Sequence, residues 1–238
     1  MKNILGFVPA RGGSKGIPNK NLTPLNGKPL IWYSLQILKE LKNCLIPFIS
    51  SDSNEILKYC RSQGFNISYS RPSQLATDKS LLIDAIFHAL DWLEGERKFV
   101  PTVIVILQPT SPLRESKLIK DMLNKFENEN LESLISVTPM REHPNECVQL
   151  KNQKWKKLNG KKEIFPLRQN YEDNFYFIDG SVYIVTLDFL KKNRTIVDQK
   201  ITKLFISDNR YSIDIDYPED LIIAEAIIKY KLDSIRKV

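Results

Sequence analysis

The sequence predicts an open, mainly parallel α/β sheet with helices on both faces. Short apolar, β-rich runs alternate along the chain with segments of helical periodicity. One of those runs, Val103-Ile104-Val105-Ile106-Leu107, is apolar throughout. That is the pattern of a central strand covered on both faces. Proline and glycine punctuate the boundaries: Pro29 and Pro218 suit a first helical turn, and Gly64 suits a helix C-terminus.

In chain order, strands are expected at Ile4–Val8, Ile46–Ser50, Asn66–Tyr69, Val103–Leu107, Ser133–Val137 and Ser181–Val185. Helices are expected at Pro29–Leu41, Ser53–Gln63, Leu81–Leu93, Glu115–Glu127 and Pro218–Tyr230. The rhythm breaks over residues 138–174, which are polar yet carry Trp155, Leu158, Ile164 and Phe165. This excursion is a loop, a substrate lid or an arm packing on a second subunit, and Asn159-Gly160 suggests a hairpin turn within it. The rest reads as one domain spanning residues 1–238.

Composition narrows the function classes. The chain has 238 residues, 42% hydrophobic and 26% charged, as in an ordinary globular enzyme. A fold of this size buries about 70–75% of its unfolded surface and needs no disulfide or metal staple. Cys44, Cys60 and Cys147 are far apart and form no CxxC pair, which reads as reduced thiols in a cytoplasmic protein. The first apolar run meets Pro9 and Arg11 too soon for a signal peptide. No apolar stretch approaches the roughly 20 residues that span a bilayer. The net charge of +7 suits an anionic small substrate or nucleic acid. Because the basic residues are spread along the chain, nucleic acid is not the expected partner.

The chemistry concentrates after the first expected strand, in Pro9-Ala10-Arg11-Gly12-Gly13-Ser14-Lys15-Gly16-Ile17-Pro18-Asn19-Lys20-Asn21. Glycines let a backbone approach phosphates closely, while amides and the cations Arg11, Lys15 and Lys20 meet their charge. Ligands of open α/β sheets bind beyond the carboxyl ends of strands, where this loop lies. It matches neither the G-x-G-x-x-G dinucleotide fingerprint nor the phosphate-loop motif. His88 sits in an apolar helical pattern and reads as structural, and no Ser/His/Asp or Cys/His set supports a hydrolase.

Near the other end, Asp214 and Asp216 lie on a presumed extended segment and are expected to face opposite sides, with Asp216 the one aimed at a nucleotide. Paired carboxylates beside a triphosphate suit Mg²⁺. Asp216 is equally placed to cap the helix starting near Pro218. Asp52 with Glu55 resembles a capping box for the second helix. Gln108, after the central strand, can both donate to and accept from a sugar.

Pro9 to Asn21, then Gly27-Lys28-Pro29-Leu30, Ser51-Asp52, Arg71-Pro72-x-x-Leu75-Ala76-x-Asp78, Gln108-Pro109-Thr110-Ser111-Pro112-Leu113-Arg114 and Ser212-Ile213-Asp214-Ile215-Asp216 occur in this order. Together they resemble the bacterial CMP-sialic acid synthetases (acylneuraminate cytidylyltransferases). The resemblance covers nearly the whole chain. It implies a Rossmann-like nucleotidyltransferase fold, and transfer of CMP from CTP to the anomeric hydroxyl of a nine-carbon keto acid sugar with release of pyrophosphate. It also implies a cytoplasmic homodimer serving cell-surface polysaccharide synthesis.

By this resemblance Arg11, Lys20 and Asp216 are catalytic. Ala10, Arg11, Gly12, Gly13, Ser14, Lys15, Asn21, Arg71 and Ser80 bind the nucleotide. Gln108, Thr110, Ser111, Arg168, Gln169 and Asp179 bind the sugar, and Asp214 with Asp216 holds Mg²⁺. The chain departs from the family where His-His-Pro-x-Lys becomes Glu142-His143-Pro144-Asn145-Glu146, and where Arg-Pro-Asn-Gly becomes Phe177-Ile178-Asp179-Gly180. Two cations are thereby exchanged for Glu146 and Phe177, while Arg168 remains to pair a carboxylate. Legionaminic, pseudaminic and 3-deoxy-octulosonic acids therefore stand beside neuraminic acid as substrates. The reading from a different class is a non-catalytic nucleotide- or RNA-binding protein.

Overall fold

Strand β1 (Ile4–Pro9) lies between β4 (Ile46–Ser50) and β5 (Val103–Ile106) and is parallel to both. Beyond β5 come β9 (Tyr176–Thr186), β6 (Ser133–Pro139) and β10 (Lys203–Ile206), giving the order β10-β6-β9-β5-β1-β4. Strand β9 is antiparallel to both β5 and β6; the remaining pairings are parallel. The computed structural model describes residues 3–140, 142–158, 175–207 and 212–230.

Period-two alternation divides the sheet residues between two cores. On one face Ile4, Val8, Val103, Val105 and Leu107 pack with α1 (Leu30–Glu40), α2 (Asn54–Ser62) and α4 (Ser116–Asn128). On the other, Leu5, Phe7, Ile104 and Ile106 pack with α3 (Leu82–Arg97) and α5 (Leu187–Asn193). Helices on both faces and a β5 buried at every position are what the apolar run predicted. Gly6 lets α1 close on the sheet, since a Cβ there would sit 2.6 Å from Leu38 Cδ2. Helix α6 (Pro218–Tyr230) joins Ile17, Leu25, Leu30, Ile213 and Ile215 in a third, smaller core.

Some elements differ from expectation. Asn66–Tyr69 is not a strand. Its apolar character serves an aromatic cluster, in which Tyr69 meets Phe48 at 5.0 Å and Trp92 at 5.4 Å and hydrogen-bonds His88 Nδ1 at 2.9 Å. His88 is thus structural, as expected. Strand β10 and helix α5 were not expected. The first is a four-residue strand with Leu204 and Ile206 exposed; the second is a short helix following β9 directly, its N-terminus capped by the Thr186 hydroxyl. Pro24–Leu25 (β2) and Lys28–Pro29 (β3) form a small hairpin ahead of α1.

Within the excursion, β7 (Val148–Lys151) and β8 (Lys154–Lys157) pair antiparallel. Their turn is Asn152-Gln153, with φ of 50° and 62°, the left-handed pair a tight hairpin demands. The expected Asn159-Gly160 turn lies outside the described residues. No helix among those described is long and apolar enough to cross a membrane.

Candidate functional site

A cleft of about 360 Å³ opens at the carboxyl edge of β1 and β5, the position open α/β sheets reserve for ligands. The loop after β1 enters it held by several hydrogen bonds. The Ala10 amide donates to the Ser50 carbonyl at 2.9 Å, and the Gly12 amide to Asp52 Oδ1 at 2.8 Å. Asp52 therefore holds this loop, and Ser53 rather than Asp52 caps α2. Asn21, only 8% exposed, sends its Nδ2 to the Arg11 carbonyl at 2.8 Å. Gly16 passes so close to the last segment that a Cβ would lie 2.2 Å from the Asp216 carbonyl oxygen.

Arg11, Gly13, Ser14, Lys20, Asn21, Arg71, Ser80, Gln108, Thr110, Asp214 and Asp216 all line the cleft. Lys20 Nζ ties the loop after β1 to the last segment, donating to Asp216 Oδ1 at 2.8 Å and to the Ile215 carbonyl at 2.7 Å. Arg71 is 6% exposed and is fixed by Nε to Ser50 Oγ at 2.9 Å and Nη2 to the Ser50 carbonyl at 2.7 Å. Burial pushes its guanidinium below the ordinary arginine value. Ser80 Oγ donates to the Gln74 carbonyl and accepts from the Thr77 amide, so it also shapes the loop it lies on.

That loop supplies a residue which sequence reasoning quoted but gave no role. Asp78 takes Arg11 Nη1 at 3.0 Å and Lys15 Nζ at 3.1 Å. Its hydrogen bond from Lys15, then that from Arg11, holds its carboxyl below the usual range. The signal was the Asp at the end of the Arg71–Asp78 motif. Leu75, quoted in the same motif without a role, also lines the cleft, as do Thr77, Leu81 and Leu82, which carried no signal in the sequence.

The two late aspartates correct an expectation. They do not face opposite sides: Ile213 and Ile215 are buried, while Asp214 and Asp216 both open to the cleft. Residues two apart on an extended chain share a face, so this is what the backbone period requires. Nor does Asp216 cap α6; Asp220 does, accepting the Asp216 and Tyr217 amides at 2.8 Å each. Desolvation at the cleft wall raises the Asp214 carboxyl above its ordinary value, against a hydrogen bond from Thr110.

Five expected contacts sit elsewhere. Ala10 and Ser111 are fully buried, so Ala10 contributes backbone only and Ser111 lies behind the wall. Lys15 and Gly12 flank the cleft without lining it. Asp179, expected to bind sugar, is 2% exposed, and its carboxylate accepts from the Ser136 and Ser207 hydroxyls and the Ser181 amide. Those donors make it a knot between β6, β9 and the end of β10. Arg168 and Gln169 lie outside the described residues.

A mainly parallel sheet with a cation-lined cleft at its carboxyl edge is an arrangement suited to a phosphate-bearing ligand, and it is the fold of the α/β nucleotidyltransferases. A solved CMP:2-keto-3-deoxy-manno-octonic acid synthetase in complex with CTP shares this fold, with a TM-score of 0.71 at 14% identity over 97% of this chain and all of that one. Residues 5–233 match the family model described as cytidylyltransferase, and the chain belongs to that family. It is 30% identical to the CMP-N,N'-diacetyllegionaminic acid synthase of Legionella pneumophila, over 98% of this chain and 99% of the relative. It is 34% identical to the post-translational flagellin modification protein B of Campylobacter coli, over 97% of each.

Proposed function

We propose that the chain transfers CMP from CTP to the anomeric hydroxyl of a sialic-acid-like nonulosonic acid, with N,N'-diacetyllegionaminic acid the first candidate. The observation carrying this reading is the bridge from Lys20 to Asp216, which puts a cation and two carboxylates on one cleft. The full-length similarity to a legionaminic acid synthase, and the departures at Glu146 and Phe177, favour an analogue over neuraminic acid itself.

In this reaction the anomeric oxygen attacks the α-phosphorus. The bond from that phosphorus to the bridging oxygen breaks, its electron pair leaves with pyrophosphate, and the hydroxyl proton is released. Such transfer depends mostly on positioning and charge neutralisation. Arg11, Lys15 and Lys20 meet the phosphate charge, and Asn21 and Arg71 hold the cytidine. Gln108 and Thr110 orient the sugar, with Arg168 for its carboxylate.

Asp214 and Asp216 share a face and offer hard oxygen ligands, a donor set that fits Mg²⁺ when phosphates complete it. Bound there, Mg²⁺ would supply charge neutralisation at the reacting phosphate. The exposed apolar side chains Val148, Leu150, Trp155 and Leu158 favour the excursion as a dimer arm. The test is pyrophosphate release from CTP with a panel of neuraminic, legionaminic, pseudaminic and 3-deoxy-octulosonic acids. Release with none of them overturns the reading.

A further inference from the structure

Arg114 lines no part of the cleft, yet it is built into the wall behind Gln108. It is 4% exposed, and all of its described contacts are to neighbouring elements of the fold. Nη1 donates to the Ser181 carbonyl on β9 at 2.8 Å. Nη2 donates to the Gln108 carbonyl at 2.7 Å and to the Ser34 hydroxyl on α1. One planar fork thus spans a helix, the turn after β5 and the strand that faces it.

Ser181 is held twice, its carbonyl by Arg114 and its amide by Asp179. The residue before it, Gly180, has φ of 70°, and a Cβ there would lie 3.1 Å from Gln108 Oε1 and 3.8 Å from Asp214 Oδ2. The Gly180 backbone, itself buried, therefore packs directly against the side chains of Gln108 and Asp214. Arg114 fixes the two backbone pieces that bring this contact together.

Stability alone does not account for such a residue. Burial drives its guanidinium down to about 9, opposed by the charges of Asp179 and Asp214. Apolar replacements of buried charges are commonly neutral or stabilising. Arg114 Nε, Ser111 Oγ and Ser181 Oγ are moreover buried with no hydrogen-bond partner among the described residues. Polar groups left unmet in one place mark a wall kept for its shape.

We propose that Arg114 is a positioning residue for the acceptor side of the cleft, setting Gln108 against the buried Gly180 turn so that the Gln108 side chain is held in place to receive the sugar acid. This rests on the function proposed above. Two variants of the full chain test it, Arg114→Lys, which keeps the charge but loses the fork, and Ser34→Ala, which removes a partner that lies in the core on α1. CTP affinity is measured by calorimetry, and kcat/KM by pyrophosphate release with the keto acid the wild type uses best.

The expected result is a fall in keto-acid kcat/KM of about tenfold for Arg114→Lys and about threefold for Ser34→Ala, with the CTP Kd within about twofold of wild type. Equal losses for both substrates, or no loss in either variant, overturn the proposal. If Arg114→Lys does not fold, Ser34→Ala decides. A wild type that turns over no keto acid defeats the function itself, and this inference with it.

Discussion

Lys20 pairs with Asp216 in the cleft, with Nζ 2.8 Å from Oδ1. The lysine side chain is 13% exposed and the aspartate 60%, so the cation is sheltered while the carboxylate remains open to ligands. Lys20→Met is expected to lower kcat by about a hundredfold or more, as removal of a transition-state charge partner does. Asp216→Ala is expected to do the same, and the double variant to fall no further than the worse single one. Pyrophosphate release checks all three, and near-normal turnover in either single variant refutes the assignment.

Gly16→Ala is expected to act through the backbone. Its Cβ would meet the Asp216 carbonyl oxygen at 2.2 Å, which forces the loop and the last segment apart. Overpacking of this kind costs about 1–3 kcal/mol. Thermal denaturation should show a Tm several degrees lower, whereas Gly13→Ala, with nothing within 4 Å of its Cβ, should leave Tm unchanged.

Asp214→Asn should stabilise the protein while stopping catalysis. Because burial raises the folded carboxyl above its ordinary value of 3.8, ionisation works against folding at neutral pH. The penalty is present above the folded value and vanishes as pH falls below the unfolded one. The Tm difference between variant and wild type should therefore be positive at pH 7.5 and close towards pH 4. A variant less stable than wild type at pH 7.5 contradicts this.

Chelation of divalent cations should abolish pyrophosphate release, and added Mg²⁺ should restore it. The nucleotide-free Tm should not move, because Lys20 and Thr110 already meet the two carboxylates. Turnover that survives exhaustive chelation counts against Asp214 and Asp216 as metal ligands.

Leu150 and Trp155, 71% and 66% exposed on the β7–β8 hairpin, make the dimer arm testable. Light scattering at micromolar concentration should give twice the chain mass for wild type. It should give the single mass for the Leu150→Glu, Trp155→Glu double variant. A monomeric wild type would remove the proposal.

Most of the sheet was legible because its signal is local. The continuous run Val103–Leu107 and the prolines at 29 and 218 mark their elements without help from the rest of the chain. Lys203–Ile206 was hidden because an edge strand buries little and so lacks the central-strand pattern. Tyr69 misled for the opposite reason: it is apolar and buried, but in an aromatic cluster rather than a ladder. In the site, the cations and carboxylates were readable by type and order. The roles of Asp78 and Arg114 were not, since the contacts of Asp78 with Arg11 and Lys15, and of Arg114 with Ser34 and Ser181, span 60 or more residues and only the fold brings them together. The facing of Asp214 and Asp216 was readable from the chain's period of two, and the expectation misapplied it.

The antiparallel course of β9 has its own outcome. Every parallel strand delivers its finishing residues to the cleft edge, whereas β9 delivers its opening ones: Phe177 and Ile178 stand opposite Thr138 and Val137 at the close of β6. The loop after β1 and the head of β9 are thus encoded in stretches more than a hundred residues apart, joined by strands of opposite sense. A substitution at the head of β9 can therefore alter that edge of the sheet while leaving the loop after β1 untouched.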